Sequence, residues 1–317
     1  MTALENLKGL VVLDEAQRQP GLFPVLRVLA DRNEARAKFL VLGSASPELA
    51  RQASESLAGR VEIIEIRGFD LEEVTPNKMD RLWMRGGFPK SFLAGSEADS
   101  VSWRENFIRT FLERDLGLLN IGISPVALRR FWTMVSHYHG QIWNGNEIAA
   151  SLGVAPNTAK AYLDALEETF MIRRLQPWFE NVGKRLVKTP KIYMRDSGIF
   201  HSLQHIHNKK SLLTHPKLGA SWEGFALEEA LRIFQPRAAY FYSIHSGSEL
   251  DLFFFFNGKR IGIEFKRVDA PKTSRSMRIA MEDLKLDMLY VIYPGNRSFA
   301  LDDKIQALPL TDVRKAN

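Results

Sequence analysis

A predicted hairpin in the last third of the chain places four charged side chains on one face. Asn257 and Gly258 separate two apolar runs, and this dipeptide is typical of a two-residue type I′ turn, in which both residues need positive φ. With that turn, the residue numbers of opposed cross-strand partners always have the same sum. The charged face then places Asp251 opposite Glu264 and Glu249 opposite Lys266, with about 5 Å between opposed Cβ atoms.

Two carboxylates that face each other across a strand pair repel unless a cation compensates them. Asp251 and Glu264 offer the oxygen ligands that Mg²⁺ or Mn²⁺ prefers. Lys266, two residues beyond Glu264 on the same face, is placed to orient or deprotonate a water. The pattern therefore predicts a divalent-cation site. The alternative is a solvated hairpin face in which Lys266 simply pairs with Glu249.

The opposite face of the hairpin is apolar and is predicted to be a core surface. It comprises Leu250, Leu252, Phe254, Phe256, Ile261, Ile263 and Phe265. Phe253 and Phe255 fall on the charged face. There they either pack beneath a neighbouring element or stack on nucleic-acid bases.

The order of these charged residues resembles the core of the PD-(D/E)xK nuclease family. Asp251 comes first, and Glu264-Phe265-Lys266 follows after a short hairpin. The resemblance implies that Asp251 and Glu264 are metal ligands, that the Phe265 carbonyl is a further ligand, and that Lys266 is the catalytic lysine. It also implies an acidic residue from a preceding helix.

The segment over residues 219–232 is predicted to be that helix. Glu223 is the acidic residue assigned from it, which adds a third side-chain metal ligand and completes the catalytic set. Glu228 and Glu229, farther along the same helix, are the alternative contributors or ordinary exposed helix charges.

The beginning of the chain has the order strand, helix, strand, helix, strand, which predicts a parallel sheet. The predicted strands cover residues 10–16, 38–46 and 62–66, and Leu22, Phe23, Val25, Leu26 and Leu29 have helical spacing between the first two. The first strand ends in Asp14 and Glu15.

Together these segments resemble the second half of a prokaryotic AAA-type ATPase domain that precedes a conserved domain of unknown function with a nuclease-like core. The resemblance implies that Asp14 holds the Mg²⁺ shell of a Walker B site and that Glu15 polarises the attacking water. Ser44 matches the sensor-1 position. These three residues are the predicted nucleotide cofactor site, and the resemblance spans nearly the whole chain.

One part of the ATPase pattern does not occur in these 317 residues. No G-x-x-x-x-G-K-[ST] loop is present, and only 13 residues precede Asp14. Because that loop cradles the β and γ phosphates, we expect ATP to bind only if the missing Walker A region is supplied. The sequence therefore predicts a truncated ATPase domain, with Met1 an internal methionine or the gene shortened.

The middle of the chain is predicted to be helical over residues 77–120. Residues 146–166 resemble a winged helix-turn-helix, with Gly153 in the turn, Asn157 capping the second helix and a strand over 171–177. A packing module is favoured over a DNA reader, because the second helix carries few basic residues.

Arg85, Arg109 and Arg114 are expected to cap helices and pair with nearby acids, or else to contact phosphate between subunits. His201, His205 and His207 are expected in a polar loop.

Composition restricts the class of protein. The 45% hydrophobic content is normal for packed domains, and the absence of cysteine excludes disulfides and thiolate metal sites. No apolar run approaches 18 residues and no leader is visible, so we expect a cytoplasmic protein without a membrane span.

The charge is unevenly distributed along the chain. Residues 1–181 have a net charge of −2, whereas 182–317 hold 22 basic and 14 acidic residues, a net of +8. That excess suits a phosphate-backbone partner.

We therefore predict an α/β protein of three parts. Residues 1–75 are a partial parallel P-loop NTPase sheet from an AAA-type ATPase. Residues 76–181 are a helical linker with a winged-helix-like module, and 182–317 are an α/β domain with a PD-(D/E)xK-like core. The expected cofactor is Mg²⁺ or Mn²⁺, the expected partner is DNA, and the ATPase resemblance implies a homo-oligomer. A noncatalytic nucleic-acid or partner-binding protein, and a fragment of an ATP-driven switch, are the alternative functions.

Overall fold

Helices and strands alternate along the chain in the computed structural model, which describes residues 2–19, 21–32, 37–43, 55–112, 124–180, 186–245 and 247–316. The chain divides into two compact units. One comprises residues 1–66 and 164–170, and the other comprises 67–163 and 171–317. The protein is thus a mixed α/β protein, as predicted. None of the helices in the described ranges is long and apolar enough to cross a membrane.

The helices are α1 (Thr2–Glu5), α2 (Leu22–Ala30), α3 (Leu71–Val74), α4 (Met79–Arg85), α5 (Pro89–Phe92), α6 (Glu97–Thr110), α7 (Pro125–His137), α8 (Gly145–Leu152), α9 (Pro156–Glu168), α10 (Ser197–Leu203), α11 (Lys209–Leu213), α12 (Leu218–Phe234) and α13 (Arg275–Asp283). The strands are β1 (Gly9–Leu13), β2 (Ala37–Val41), β3 (Gln141–Ile142), β4 (Ile172–Pro177), β5 (Lys191–Met194), β6 (Ala239–Ser243), β7 (Glu249–Phe256), β8 (Lys259–Phe265), β9 (Met288–Tyr293), β10 (Phe299–Asp302) and β11 (Ile305–Pro309). Short 3₁₀ segments cover Ala16–Arg18, Pro76–Lys78 and Leu310–Ala316.

In the first unit, β1 and β2 form a parallel pair with Leu10 beside Lys38 and Val12 beside Leu40. The parallel arrangement confirms the prediction for these two strands. Helix α2 buries Phe23, Leu26 and Leu29, as its spacing predicted.

The predicted strand over residues 62–66 is wrong. This segment has no regular secondary structure, and Ile63, Ile64 and Ile66 are 68%, 72% and 85% exposed. A strand needs a neighbour for its backbone groups, and no strand in the described ranges pairs with this segment.

The second unit is built on one nine-stranded sheet in the order β10-β11-β9-β8-β7-β6-β4-β5-β3. Strands β7 and β8 pair antiparallel, whereas β8 and β9 pair parallel, so the sheet is mixed. The sheet includes strands from both sides of residue 181. The domain boundary placed there stays a prediction.

Both faces of this sheet are covered. On one face, α12 contributes Trp222, Phe225 and Ala226 to a core that includes Leu252 and Phe254 of β7. On the other face, α13 contributes Met277 and Ala280 to a core that includes Phe253. The hairpin β7–β8 is therefore a central element, with apolar packing on each side.

The middle of the chain is less uniformly helical than predicted. Helices α4, α5 and α6 are separate, and residues 113–123, which include Arg114, lie outside the described ranges. Gly153 ends α8 with φ 69°, as the predicted turn requires. Asn157 does not cap the next helix, because α9 already begins at Pro156. The predicted strand over 171–177 is confirmed as β4.

Two expectations for polar residues of this region change once burial is known. Arg85 is buried and pairs with Glu97 at 2.7 Å, so it is not a surface contact for phosphate. His201 lies in α10 rather than in a polar loop. Its imidazole is buried between the Met84 carbonyl at 3.0 Å and the Ser221 hydroxyl at 2.7 Å.

Candidate functional site

The turn of the β7–β8 hairpin has the predicted geometry. Asn257 and Gly258 have φ angles of 48° and 76°, and Phe256 lies opposite Lys259. The register continues to Leu252 opposite Ile263. Because these local interactions set the register, Asp251 and Glu264 reach the same end of the hairpin.

A bulge in β7 alters the predicted faces at that end. Tyr240 of β6 pairs with Phe253 of β7, and Tyr242 pairs with Leu250. Between these two pairs, β6 has one residue but β7 has two, whereas a regular ladder would have one residue on each strand. Leu250 therefore packs with Phe253, on the face opposite to Leu252. Its predicted place beside Leu252 is wrong, because a bulge interrupts strict alternation. Asp251 lies within the bulge.

Asp251 and Glu264 are both buried, which is unusual for carboxylates without a partner of opposite charge. The backbone N–H of Phe265 donates to Asp251 Oδ2 at 2.9 Å. Lys266 Nζ lies 2.5 Å from Glu264 Oε1, and the lysine side chain is 41% exposed. Glu264 Oε2 is buried and finds no hydrogen-bond partner among the residues that the structure describes.

Glu249 does not pair with Lys266, so both the predicted opposition and the alternative of a simple surface pair are wrong. Glu249 instead accepts a hydrogen bond from Lys191 of β5. The same ammonium lies 3.8 Å from Glu223 Oε1 and 3.9 Å from Asp251 Oδ1. A buried lysine therefore contacts three carboxylates at once.

Glu223 lies beside this group on α12. The hydroxyl of the buried Tyr193 donates to Glu223 Oε1 at 2.6 Å. Tyr193 and Lys191 occupy alternate positions of β5, so one strand both orients the Glu223 carboxylate and supplies a positive charge beside the acidic groups. We define the carboxylate cluster as Glu223, Glu249, Asp251 and Glu264.

Burial and mutual repulsion raise the pKa values of the acidic groups. Burial first, and then the Asp251 carboxylate, raise the pKa of Glu223 to about 8 and that of Glu264 to about 8. Burial also raises the pKa of Asp251, although Lys191 opposes the rise. Burial would lower the pKa of Lys191, but the Glu223, Asp251 and Glu249 carboxylates outweigh it and raise that pKa. The raised pKa values of the acids thus reflect burial and an excess of carboxylates over ammonium groups.

The donor set fits a hard cation such as Mg²⁺ or Mn²⁺. It consists of carboxylate oxygens, and one of them, on Glu264, is buried and has no hydrogen bond to any residue in the described ranges. With every group ionised, four carboxylates and the ammonium groups of Lys191 and Lys266 leave a net charge of −2. Nevertheless, no three acidic or histidine side chains within the described ranges are already gathered as a metal-ligand set.

Sequence reasoning did not identify Lys191 or Tyr193. Both belong to the strand Lys-Ile-Tyr-Met, in which all four residues are buried. A lysine in a short apolar strand was the available signal, because a charged side chain in such a strand needs a partner of opposite charge. The partners themselves are at least 30 residues away in the sequence and became apparent only in the fold.

Glu228 and Glu229 are neither exposed nor part of the carboxylate cluster. Glu228 pairs with Arg173, with 2.9 Å between Oε2 and Nη2, and with Arg195 at 3.7 Å. Glu229 accepts from the Leu71 backbone N–H at 3.0 Å. Both carboxylates are buried, so they serve the packing of α12.

The predicted nucleotide residues lie at the end of β1. Asp14 Oδ1 accepts from the Glu15 N–H at 2.8 Å, and both side chains are exposed. Glu15 also lies 3.4 Å from Arg18. Ser44 is outside the described residues, so the sensor-1 assignment stays a prediction.

Three family models match successive parts of the chain. An AAA domain model matches residues 1–75, a domain of unknown function (DUF8612) matches 76–210, and a domain of unknown function (DUF4143) matches 218–313. The carboxylate cluster lies within the last of these.

Two relatives are similar to this protein over nearly the whole chain. They are "Uncharacterized protein Mb2031c" from Mycobacterium bovis and "Uncharacterized protein Rv2008c" from Mycobacterium tuberculosis. Each is 50% identical over 313 residues, which cover 99% of this chain and 71% of the relative. A methionine aminopeptidase from Archaeoglobus fulgidus is 25% identical over 156 residues, covering 49% of this chain and 46% of that protein.

One solved structure, protein VC1899 from Vibrio cholerae, aligns with 96% of this chain and 88% of its own. Its TM-score is 0.23 at 11% identity, too low to support an argument about fold.

Proposed function

The chain belongs to an AAA-type ATPase-like family, and from that premise we propose that its carboxylate cluster is a divalent-cation-dependent phosphodiesterase site that acts on DNA. The observation that carries the proposal is the buried Glu264 Oε2, which has no hydrogen-bond partner among the described residues and lies in a cluster of four carboxylates. A buried carboxylate oxygen is costly to leave without a partner. A divalent cation would satisfy it and neutralise the cluster.

In this proposal the residues of the cluster have the roles that the resemblance to the PD-(D/E)xK nucleases implies. Asp251 and Glu264 would hold Mg²⁺ or Mn²⁺, and Glu223 would add a ligand from α12. A bound metal polarises the scissile phosphate and lowers the pKa of a bound water. The Phe265 N–H keeps Asp251 in one orientation. Lys266 is exposed enough to reach solvent and close enough to Glu264 to hold a water beside it.

The proposed DNA partner is supported by the charge of residues 182–317, which have a net charge of +8. A basic excess on the segment that holds the cluster would attract a phosphate backbone and would make binding sensitive to salt. A cytoplasmic location and assembly into a homo-oligomer complete the proposal.

A second candidate is a noncatalytic DNA-binding or protein-binding module that retains the fold. The position of Lys191 favours it, because this ammonium already neutralises part of the carboxylate charge. Fold alone does not decide between the two functions.

Cleavage of single-stranded, duplex and branched DNA with Mg²⁺ or Mn²⁺ tests the first candidate. We expect metal-dependent cutting that Asp251→Asn and Lys266→Ala each reduce at least a hundredfold. Asp303→Asn, at an exposed acid of the same unit, is the matched control and should cut like the parent protein. Salt-sensitive binding with no cutting, across both metals and all three substrates, would contradict the enzyme and support the binding module.

For the first unit we propose that Asp14, Glu15 and Ser44 take part in ATP binding only when a Walker A region is supplied. The 317 residues contain no loop that would cradle the β and γ phosphates. Calorimetry of the purified chain with Mg-ATP should therefore detect no saturable binding in the micromolar range. Such binding would overturn this part of the proposal.

A further inference from the structure

Among the charged side chains at the carboxylate cluster, that of Lys191, which contacts three of the four acids, is the least exposed. Its side chain is 3% exposed, whereas that of Lys266 is 41% exposed. Its ammonium bonds to Glu249 and lies within 4 Å of Glu223 and Asp251. It also faces the ring of Phe241, with 5.4 Å to the centroid. Carboxylates and the face of an aromatic ring both stabilise a cation electrostatically.

The fold keeps this ammonium in place. Lys191 is paired through its backbone on both sides, with Leu175 of β4 and Ile142 of β3. Tyr193 of the same strand anchors Glu223, so the lysine and one of its acidic neighbours are held by the same element. The Lys191 ammonium is therefore held in place by a strand that is paired on both sides, whereas the Lys266 side chain reaches solvent.

We propose that Lys191 is a tethered cation that takes the place of a second divalent ion in the carboxylate cluster. Two-metal phosphodiesterase sites hold their ions about 3.5–4 Å apart between shared carboxylates. Here one such position is filled by an ammonium close to Glu223, Glu249 and Asp251. With every group ionised and Lys191 present, the net charge of −2 is balanced by one divalent ion. Without Lys191, the fully ionised cluster has a net charge of −3, and Glu223, Glu249 and Asp251 lose the cation that they share.

This inference deepens the proposed function and rests on it for the identity of the first ion. It differs from that proposal in what it predicts, namely the number of ions rather than cleavage. A lysine that only holds Glu249 in place would leave the number of bound ions unchanged when it is replaced.

The test counts Mn²⁺ ions by electron paramagnetic resonance and calorimetry on the purified 317-residue protein. Ions bound elsewhere are subtracted with an Asp251→Asn/Glu264→Gln variant. The variant of interest is Lys191→Met, and Lys191→Gln, which retains a hydrogen-bond donor for Glu249, is the substitute if the first does not fold. Lys304→Met, at an exposed lysine of the same unit, is the matched control.

We expect one cluster ion in the parent protein and the Lys304→Met control, and two in the Lys191 variant. Mn²⁺ should also raise the Tm of the Lys191 variant by several degrees more than that of the parent. No ion in the parent but one in the variant would support the tethered cation and overturn the proposed metal-dependent function.

Three results would overturn the tethered cation. These are two cluster ions in the parent, the same number of ions in parent and variant, and failure of both Lys191 variants to fold at any Mn²⁺ concentration. The second result leaves the proposed function standing if the parent binds one ion.

Discussion

The backbone N–H of Phe265 donates a 2.9 Å hydrogen bond to Asp251 Oδ2, joining the two strands of the hairpin through a buried side chain. Removing the acceptor leaves the N–H without a partner, which costs about 1–3 kcal/mol. We expect the unfolding free energy of Asp251→Ala, measured by urea titration, to be lower than that of Asp251→Asn by about this amount, because the asparagine oxygen can still accept the hydrogen bond. Both variants lack the carboxylate charge, so the loss of charge does not contribute to their difference. Equal unfolding free energies would contradict its role.

The ion pair between Glu228 and Arg173 gives a second prediction. Because Glu228 is buried and its removal as a charge leaves Arg173 without its carboxylate partner, Glu228→Gln should lower the unfolding free energy by about 3–5 kcal/mol at pH 7. The control Glu282→Gln, at an exposed position, should stay within about 0.5 kcal/mol of the parent.

This loss should depend on pH in one direction. Burial raises the pKa of Glu228, but the guanidinium groups of Arg173, Arg195 and Arg232 together outweigh it and lower that pKa to about 2 from 4.5. The stabilisation is therefore complete above pH 4.5 and is lost as the pH falls through 2. Urea titrations of parent and Glu228→Gln should converge across that range, and a constant difference would argue against the ion pair.

The close approach of Gly198 to Arg85 gives a third prediction. A Cβ added at Gly198 would lie 2.1 Å from the Arg85 carbonyl oxygen, and backbone atoms cannot yield to it cheaply. We expect Gly198→Ala to cost more than about 4 kcal/mol or to prevent folding. Gly153→Ala is the comparison: its added Cβ meets open space and its φ of +69° should cost only about 1–2 kcal/mol. Circular dichroism melts would show whether the two differ in this order.

Buried histidines give a fourth prediction. Burial lowers the pKa of His201 to about 3 and that of His139 to about 3 from 6.5. Their neutral forms stabilise the fold fully above pH 6.5, and this stabilisation is lost as the pH falls toward 3. His201→Gln should reduce the slope of unfolding free energy against pH by about 1.4 kcal/mol per unit below pH 6. An unchanged slope in His201→Gln would contradict this role of the buried imidazole.

Local sequence determined the hairpin that carries Asp251, Glu264 and Lys266. Asn257 and Gly258 accept positive φ, which selects the turn, and the turn sets the register of the strands next to it. Helix α12 was also predicted from neighbouring residues, whereas Glu223 was assigned from the family resemblance. The hairpin and the helix both depend on interactions over short sequence distances.

Only the tertiary structure decided which charges meet. The bulge that moves Leu250 to the other face depends on β6, and the burial of Glu228 depends on Arg173, 55 residues away. Lys191 reaches Glu249 across 58 residues of sequence. Periodicity shows which side of an element is apolar, but it does not identify the distant group that lies against that side. The carboxylates of the site were therefore apparent in the sequence, whereas the buried cation among them was apparent only in the fold.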